Sequence, residues 1–132
     1  MSKTSSPEQA SATFQALSDP TRVRMLRLLA SNETELCVCE FVDALQERQY
    51  NVSRQLKVLV SAGLVRGRKD GRWVYYSLCP AATAPEKHLR KLLAALEVDD
   101  TLAQDQKRFE RRMKLRTDVQ CRIGIQTPSL AD

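Results

Sequence analysis

Residues 51–78 read NVSRQLKVLVSAGLVRGRKDGRWVYYSL, and this stretch decides the fold. Val52, Leu56, Leu59 and Val60 fall at helical spacing, and Gly63 offers the left-handed residue that stops a helix. That inner stripe leaves Ser53, Arg54, Lys57 and Ser61 on the opposite, wet side. Leu64–Lys69 and Arg72–Leu78 then read as two strands around Asp70-Gly71, a dipeptide favoured in hairpin turns because both residues accept positive φ.

Upstream, Val38, Phe41, Val42 and Leu45 recur at i, i+3, i+4, i+7, which predicts a third helix over roughly 35–47. Asp19-Pro20-Thr21 predicts a helix start, with Asp19 as cap and Pro20 at the first helical position, so the second helix covers about 20–30. A first helix opens at Pro7 and runs to about Leu17. Downstream, Leu89, Leu92, Leu93 and Leu96 form the stripe of a fifth helix, and a sixth spans about 101–116. The expected architecture is mainly α with one β-hairpin, in the order α-α-α-α-β-β-α-α. Two helices joined by a short turn and followed by a basic hairpin make a winged helix-turn-helix. A single domain is expected over 1–116, with a polar, poorly patterned tail over 117–132.

The 132 residues are 42% hydrophobic and 28% charged, which excludes both a membrane-embedded and a disordered chain. No apolar run reaches bilayer length, and the opening MSKTSSPEQASATF lacks the apolar core of a secretory signal. A cytoplasmic location without a membrane partner is therefore expected. The four cysteines are then a matter of metal, redox chemistry or burial, not of a disulfide framework. Lys and Arg number 21 against 16 Asp and Glu, and the resulting charge of +5 favours an acidic partner such as nucleic acid.

Double-stranded operator DNA is the expected partner. Asn51, Ser53, Arg54, Gln55 and Lys57 are the candidates to reach base edges, because they occupy the start of a cationic helix that suits the major groove. Arg68, Lys69 and Arg72, with Arg66, load the hairpin with cations that read phosphate or the minor groove and add affinity more than sequence choice. A second basic run, Lys107, Arg108, Arg111, Arg112, Lys114 and Arg116, reads as a solvated helix face.

Cys37 and Cys39 are soft thiol donors suited to As(III) or Sb(III). Two residues apart, they lie about 200° apart on an ideal helix, so joint binding of one atom requires the first helical turn to unwind. Opposite-facing side chains cannot both lie on the inner stripe, so at least one is expected near the surface. Simple packing is the alternative use of such cysteines. An enzyme is not expected and no organic cofactor is implied. The spacing is Cys-x-Cys rather than Cys-x-x-Cys, no Gly-rich phosphate loop is present, and His88 is the sole histidine.

Four stretches together resemble the ArsR/SmtB family of metal-sensing repressors, over about residues 14–80. They are Leu17-Ser18-Asp19-Pro20-Thr21-Arg22, Glu35-Leu36-Cys37-Val38-Cys39-Glu40, Val52-Ser53-Arg54-Gln55-Leu56-Lys57 with Ala62-Gly63-Leu64-Val65, and Arg68-Lys69-Asp70-Gly71-Arg72-Trp73-Val74-Tyr75-Tyr76. The Leu-Cys-Val-Cys box brings the chain closest to the arsenic-responsive repressors. The resemblance implies a homodimeric winged-helix repressor that leaves its operator when As(III) or Sb(III) binds, with the first and fifth helices forming the dimer interface. Two positions depart from it: Gln55 stands where a His is usual, and Val42 where the arsenic-type box often has a third cysteine. The third thiolate is then Cys121, Cys79 or none. Cys121 is the preferred candidate, and Cys79, at the hairpin exit, reads as structural. A thiol redox-responsive or other soft-metal-responsive repressor is the alternative function.

Overall fold

The structure, a computed structural model, describes residues 6–97, 99–118 and 120–126. Its elements are α1 (Pro7–Ala16), α2 (Pro20–Asn32), β1 (Leu36–Cys37), α3 (Val38–Leu45), α4 (Gln49–Ser61), β2 (Val65–Asp70), β3 (Trp73–Leu78), α5 (Ala84–Ala95) and α6 (Asp100–Met113). The helix starts follow from their caps. Ser6 and Thr83 close capping boxes with Gln9 and Glu86, while Asp19 and Asp99 accept the backbone N–H of Arg22 and Leu102.

The expected helices and hairpin are all present, and one element is new. Leu36 and Cys37 do not begin α3. They form a short strand antiparallel to β3, with Leu36 opposite Tyr76 and Cys37 opposite Tyr75, so the sheet order is β1-β3-β2. The cause is local. The Cys37 N–H donates to the buried carboxylate of Glu40 at 3.0 Å, which fixes Cys37 as an extended cap and starts the helix at Val38.

The wing turn also differs in detail from its expected form. Asp70 pairs with Trp73, so the two-residue loop is Gly71-Arg72, and Gly71 at its first position carries the positive φ of 61°.

The core gathers the inner faces of the helices. Met25, Leu26, Leu29, Leu36, Phe41, Leu45, Val52, Leu56 and Leu59 are buried, and Leu93 and Phe109 close it from α5 and α6. Val60, expected on the inner face of α4, is exposed. Among the described residues no helix is long and apolar enough to cross a membrane.

The basic run of α6 is not a solvated face. Arg108, Arg112 and Arg116 recur every four residues and turn inward along α3. The Arg108 Nε donates to the Ala44 carbonyl (2.7 Å) and Arg112 Nε to Asp43 (2.6 Å). Arg116 binds both oxygens of Glu40 at 2.7 Å each. Glu40, Asp43 and Arg112 are fully buried, so this ladder of paired charges docks α6 on α3. Only Lys107 and Lys114 of the run are exposed.

Candidate metal centre and nucleic-acid interface

A small buried cluster stands apart from the main core: Cys37, Cys39, Tyr75 and Cys121, with Trp73 packed against it. Because Cys37 caps the helix in extended backbone, its side chain is freed from helical spacing and meets that of Cys39. The Sγ atoms are 3.0 Å apart. Unwinding a helical turn is therefore unnecessary, and both cysteines are buried, contrary to the expectation drawn from an ideal helix.

Cys121 completes a triangle, 2.9 Å from Cys37 and 3.4 Å from Cys39. It is held there from three sides. The Cys121 N–H donates to the Tyr75 hydroxyl (2.8 Å), and Arg112 Nη2 donates to the carbonyls of Ile123 (2.9 Å) and Gly124 (3.1 Å). The Gln126 N–H reaches Asp43 at 2.8 Å. Polar as it is, the segment 120–126 is bound down by hydrogen bonds. Cys79 lies elsewhere, half-buried after β3, where its carbonyl accepts from Arg90.

The three thiols do not share protons equally. Cys37 is the donor of the group: its hydrogen bond to Cys39, then burial, push its thiol well above the ordinary range. Receiving that hydrogen bond, with another from Cys121 and the nearby Arg112 guanidinium, outweighs burial at Cys39 and brings its thiol down to about 7. Burial raises Cys121 to about 11. Above about pH 7 the cluster thus carries one negative charge, centred on Cys39, with Arg112 Nη2 at 3.5 Å.

Three buried sulfurs that lie mutually within bonding reach of a single atom form a soft donor set. Among the described residues no histidine or carboxylate joins them. The set fits a thiophilic centre that takes three bonds better than a tetrahedral zinc needing a fourth ligand.

The second surface is formed by α4 and the wing. Arg54 and Lys57 are exposed, Ser53 and Asn51 half-buried. Gln55 differs from its expected outward placement: it is 7% exposed, accepts from Arg22 Nη1 at 2.7 Å and donates to Asn51 at 3.0 Å. Asn51 in turn donates to Glu47 and accepts from Arg54, so both amides are engaged within the protein. Sequence reasoning missed Tyr50, 73% exposed, with the Arg54 guanidinium 5.3 Å above its ring. The i, i+4 spacing of Tyr50 and Arg54 was the available signal. On the wing Lys69 and Arg72 are exposed, and Arg72 lies 5.3 Å over Trp73. Arg68 is ion-paired to Glu35, beside β1, and stacks 4.9 Å over Tyr75. The wing cation and the cysteine cluster thus share one tyrosine.

This fold and these two surfaces define a winged helix-turn-helix regulator. Residues 19–66 match the family described as bacterial regulatory protein, arsR family. The chain is 44% identical over 69 residues to an uncharacterized HTH-type transcriptional regulator, MJ1325, of Methanocaldococcus jannaschii, covering 52% of this chain and 76% of that one. It is 49% identical over 67 residues to the arsenic resistance transcriptional regulator ArsR1 of Pseudomonas putida, and 45% over 67 residues to the arsenical resistance operon repressor of Escherichia coli. Each of those two matches covers 51% of this chain, and the chain spans 52% and 56% of their respective lengths. Among solved structures, HlyU from Vibrio cholerae superposes with a TM-score of 0.58 at 29% identity, over 67% of this chain and 91% of that one. The homodimeric winged helix-turn-helix domain of Mb0332 from Mycobacterium bovis gives 0.56 at 26%, over 71% and 84%. The chain belongs to the ArsR family of DNA-binding transcriptional regulators.

Proposed function

We propose that this chain is an arsenic-responsive repressor, working in the cytoplasm, that binds operator DNA as a homodimer and lets go when As(III) or Sb(III) bridges Cys37, Cys39 and Cys121. The observation that carries this reading is the meeting of three buried sulfurs from two distant parts of the chain. Two similar proteins are named for arsenic resistance, which agrees with it. The reading needs no catalytic step and no organic cofactor. Residues 1–116 supply the DNA and dimer surfaces, and the tail from 117 supplies the third thiol.

The route from thiols to DNA runs through β1 and β3. Bridging Cys37 to Cys121 ties the 120–126 segment covalently to β1, which pairs with the wing strand at Tyr75 and Tyr76. Glu35 and Tyr75 both hold Arg68, so a shift of β1 moves a wing cation. Quenching the charge on Cys39 also removes one partner of Arg112. Induction requires only that the metalloid prefer the DNA-free form, and family-independent couplings of about 1–3 kcal/mol suffice for 5- to 150-fold changes in affinity.

The test uses a labelled duplex enriched by the protein from a random pool. Arsenite should release it from the wild type. Cys37→Ser, Cys39→Ser and Cys121→Ser should each bind the duplex and fail to let go, while Cys79→Ser should behave as wild type. Release from all three variants would overturn the assignment. A second reading, a thiol redox switch, rests on the 2.9 Å separation of Cys37 and Cys121. It predicts that peroxide, in the absence of metalloid, releases the duplex.

A further inference from the structure

On the outer face of α4, Tyr50, Ser53, Arg54 and Lys57 recur at i, i+3, i+4, i+7, opposite the buried stripe of Val52, Leu56 and Leu59. Tyr50 is 73% exposed, and the exposed cations Arg48, Arg54 and Lys57 surround its ring. The Arg54 guanidinium lies 5.3 Å over that ring and donates through Nη2 to Asn51 at 3.1 Å. One of its five N–H donors is thus engaged, and among the described residues the others have no partner. The amides suited to reading adenine are held inside the protein. Asn51 Oδ1 accepts from both Arg54 and Gln55 Nε2, and the buried Gln55 accepts from Arg22.

We propose that Tyr50 and Arg54 together read a thymine beside a guanine in the major groove, Arg54 binding the guanine and the Tyr50 ring covering the thymine methyl. This rests on the operator-binding reading above and names the bases that α4 selects. A guanidinium bonded to guanine O6 and N7 lies in the plane of that base. A ring over the guanidinium face then lies at the level of the next base pair. The 5.3 Å separation accommodates one base-pair rise of about 3.4 Å with a sideways offset. There the ring edge meets the pyrimidine C5. Thymine carries a methyl at that position and cytosine a hydrogen, so thymine gives the ring the better apolar partner. The stack also holds Arg54 in place before DNA arrives, which lowers the rotamer freedom lost on binding.

The probe is the duplex enriched by the protein from a random pool, remade with single-base changes and titrated by anisotropy. The wild-type pool should carry thymine adjoining guanine in each half-site. Uracil in place of one such thymine removes only the methyl and should weaken wild type about fourfold. Cytosine there should also weaken it, and 5-methylcytosine should restore part of that loss. Tyr50→Phe keeps the ring and should keep the uracil effect. Tyr50→Ala, checked for fold by circular dichroism, should bind thymine and uracil duplexes alike, and its own enriched pool should keep guanine and lose thymine. No uracil effect in wild type, or the same effect in Tyr50→Ala, would overturn the proposal. So would a Tyr50→Ala protein that sediments as a monomer, because the ring would then belong to a contact between copies of the chain. If Arg54→Ala and Lys69→Ala both leave affinity unchanged, the operator face is misplaced and this reading falls with it. A loss of affinity in Arg54→Ala without any uracil effect removes this reading alone.

Discussion

At the scale of single residues, the cluster's shared charge sets a proton balance that separates metalloid from metal. Arsenous acid carries three hydroxides, and each leaves as water with one proton. Below about pH 7 the three thiols supply all three protons. Above it Cys39 is ionised, because its pKa is lowered to about 7, and one proton must come from solvent. Binding then takes up one proton, so arsenite affinity should fall roughly tenfold per pH unit above 7. A divalent cation brings no hydroxide to consume protons and releases them instead, so its affinity should rise over the same interval. Calorimetry in buffers of different ionisation enthalpy reads the sign. Net release of protons by arsenite at pH 8 would contradict the placement of the charge on Cys39. None of this was legible in the Cys-x-Cys spacing, which on an ideal helix points the two sulfurs apart. The missing fact is Glu40, whose hydrogen bond to the Cys37 N–H turns a helical residue into a cap.

At the scale of elements, the proposed DNA binding would divide the work between α4 and the wing. Arg54 is exposed near the start of α4, and Arg54→Ala should cost on the order of 1–3 kcal/mol in operator affinity and relax sequence preference. Lys69 on the wing should act on phosphate alone. Lys69→Ala is expected to weaken all duplexes alike and reduce the slope of log K against log salt by about 1. Anisotropy titrations at several salt concentrations check both, and two unchanged affinities would remove this surface from the DNA. The order of helices and the presence of the hairpin were readable because apolar period, caps and Asp70-Gly71 are local signals, whereas the start of α3 and the exact wing turn were not. The role of α6 was not. Arg108, Arg112 and Arg116 read as solvent-facing until Glu40 and Asp43 on α3 are seen to be buried and to need cations. Two acids within an otherwise apolar helix were the overlooked signal. Nor could spacing reveal Cys121, 84 residues from Cys37, since only tertiary packing of the 120–126 segment brings it in.

At the scale of the whole molecule, an apolar face remains open between α1 and α5. Phe14 is 70% exposed and Leu92 59%, and a cleft lined by Ala10, Phe14, Leu64 and Leu89 lies between the two helices. Covering this face with a second copy gives the two-fold symmetry that a pseudo-palindromic operator requires. Leu93, on the same leucine stripe, is 5% exposed and belongs to the protomer's own core. The discriminating change is therefore Leu92→Glu, which should leave the fold intact by circular dichroism. It should also convert the dimer to monomer in sedimentation at micromolar concentration, because two carboxylates would face each other across the axis. An intact Leu92→Glu dimer would move the interface elsewhere.

The central claim is that one metalloid atom is held by three thiolates drawn from the start of α3 and the 120–126 segment. X-ray absorption at the arsenic edge, on protein loaded with one equivalent of arsenite, tests it most directly. The account predicts a first shell of three sulfurs in wild type and of two sulfurs with one oxygen in Cys121→Ser. A wild-type shell of two sulfurs and one oxygen, unchanged by that substitution, would contradict it.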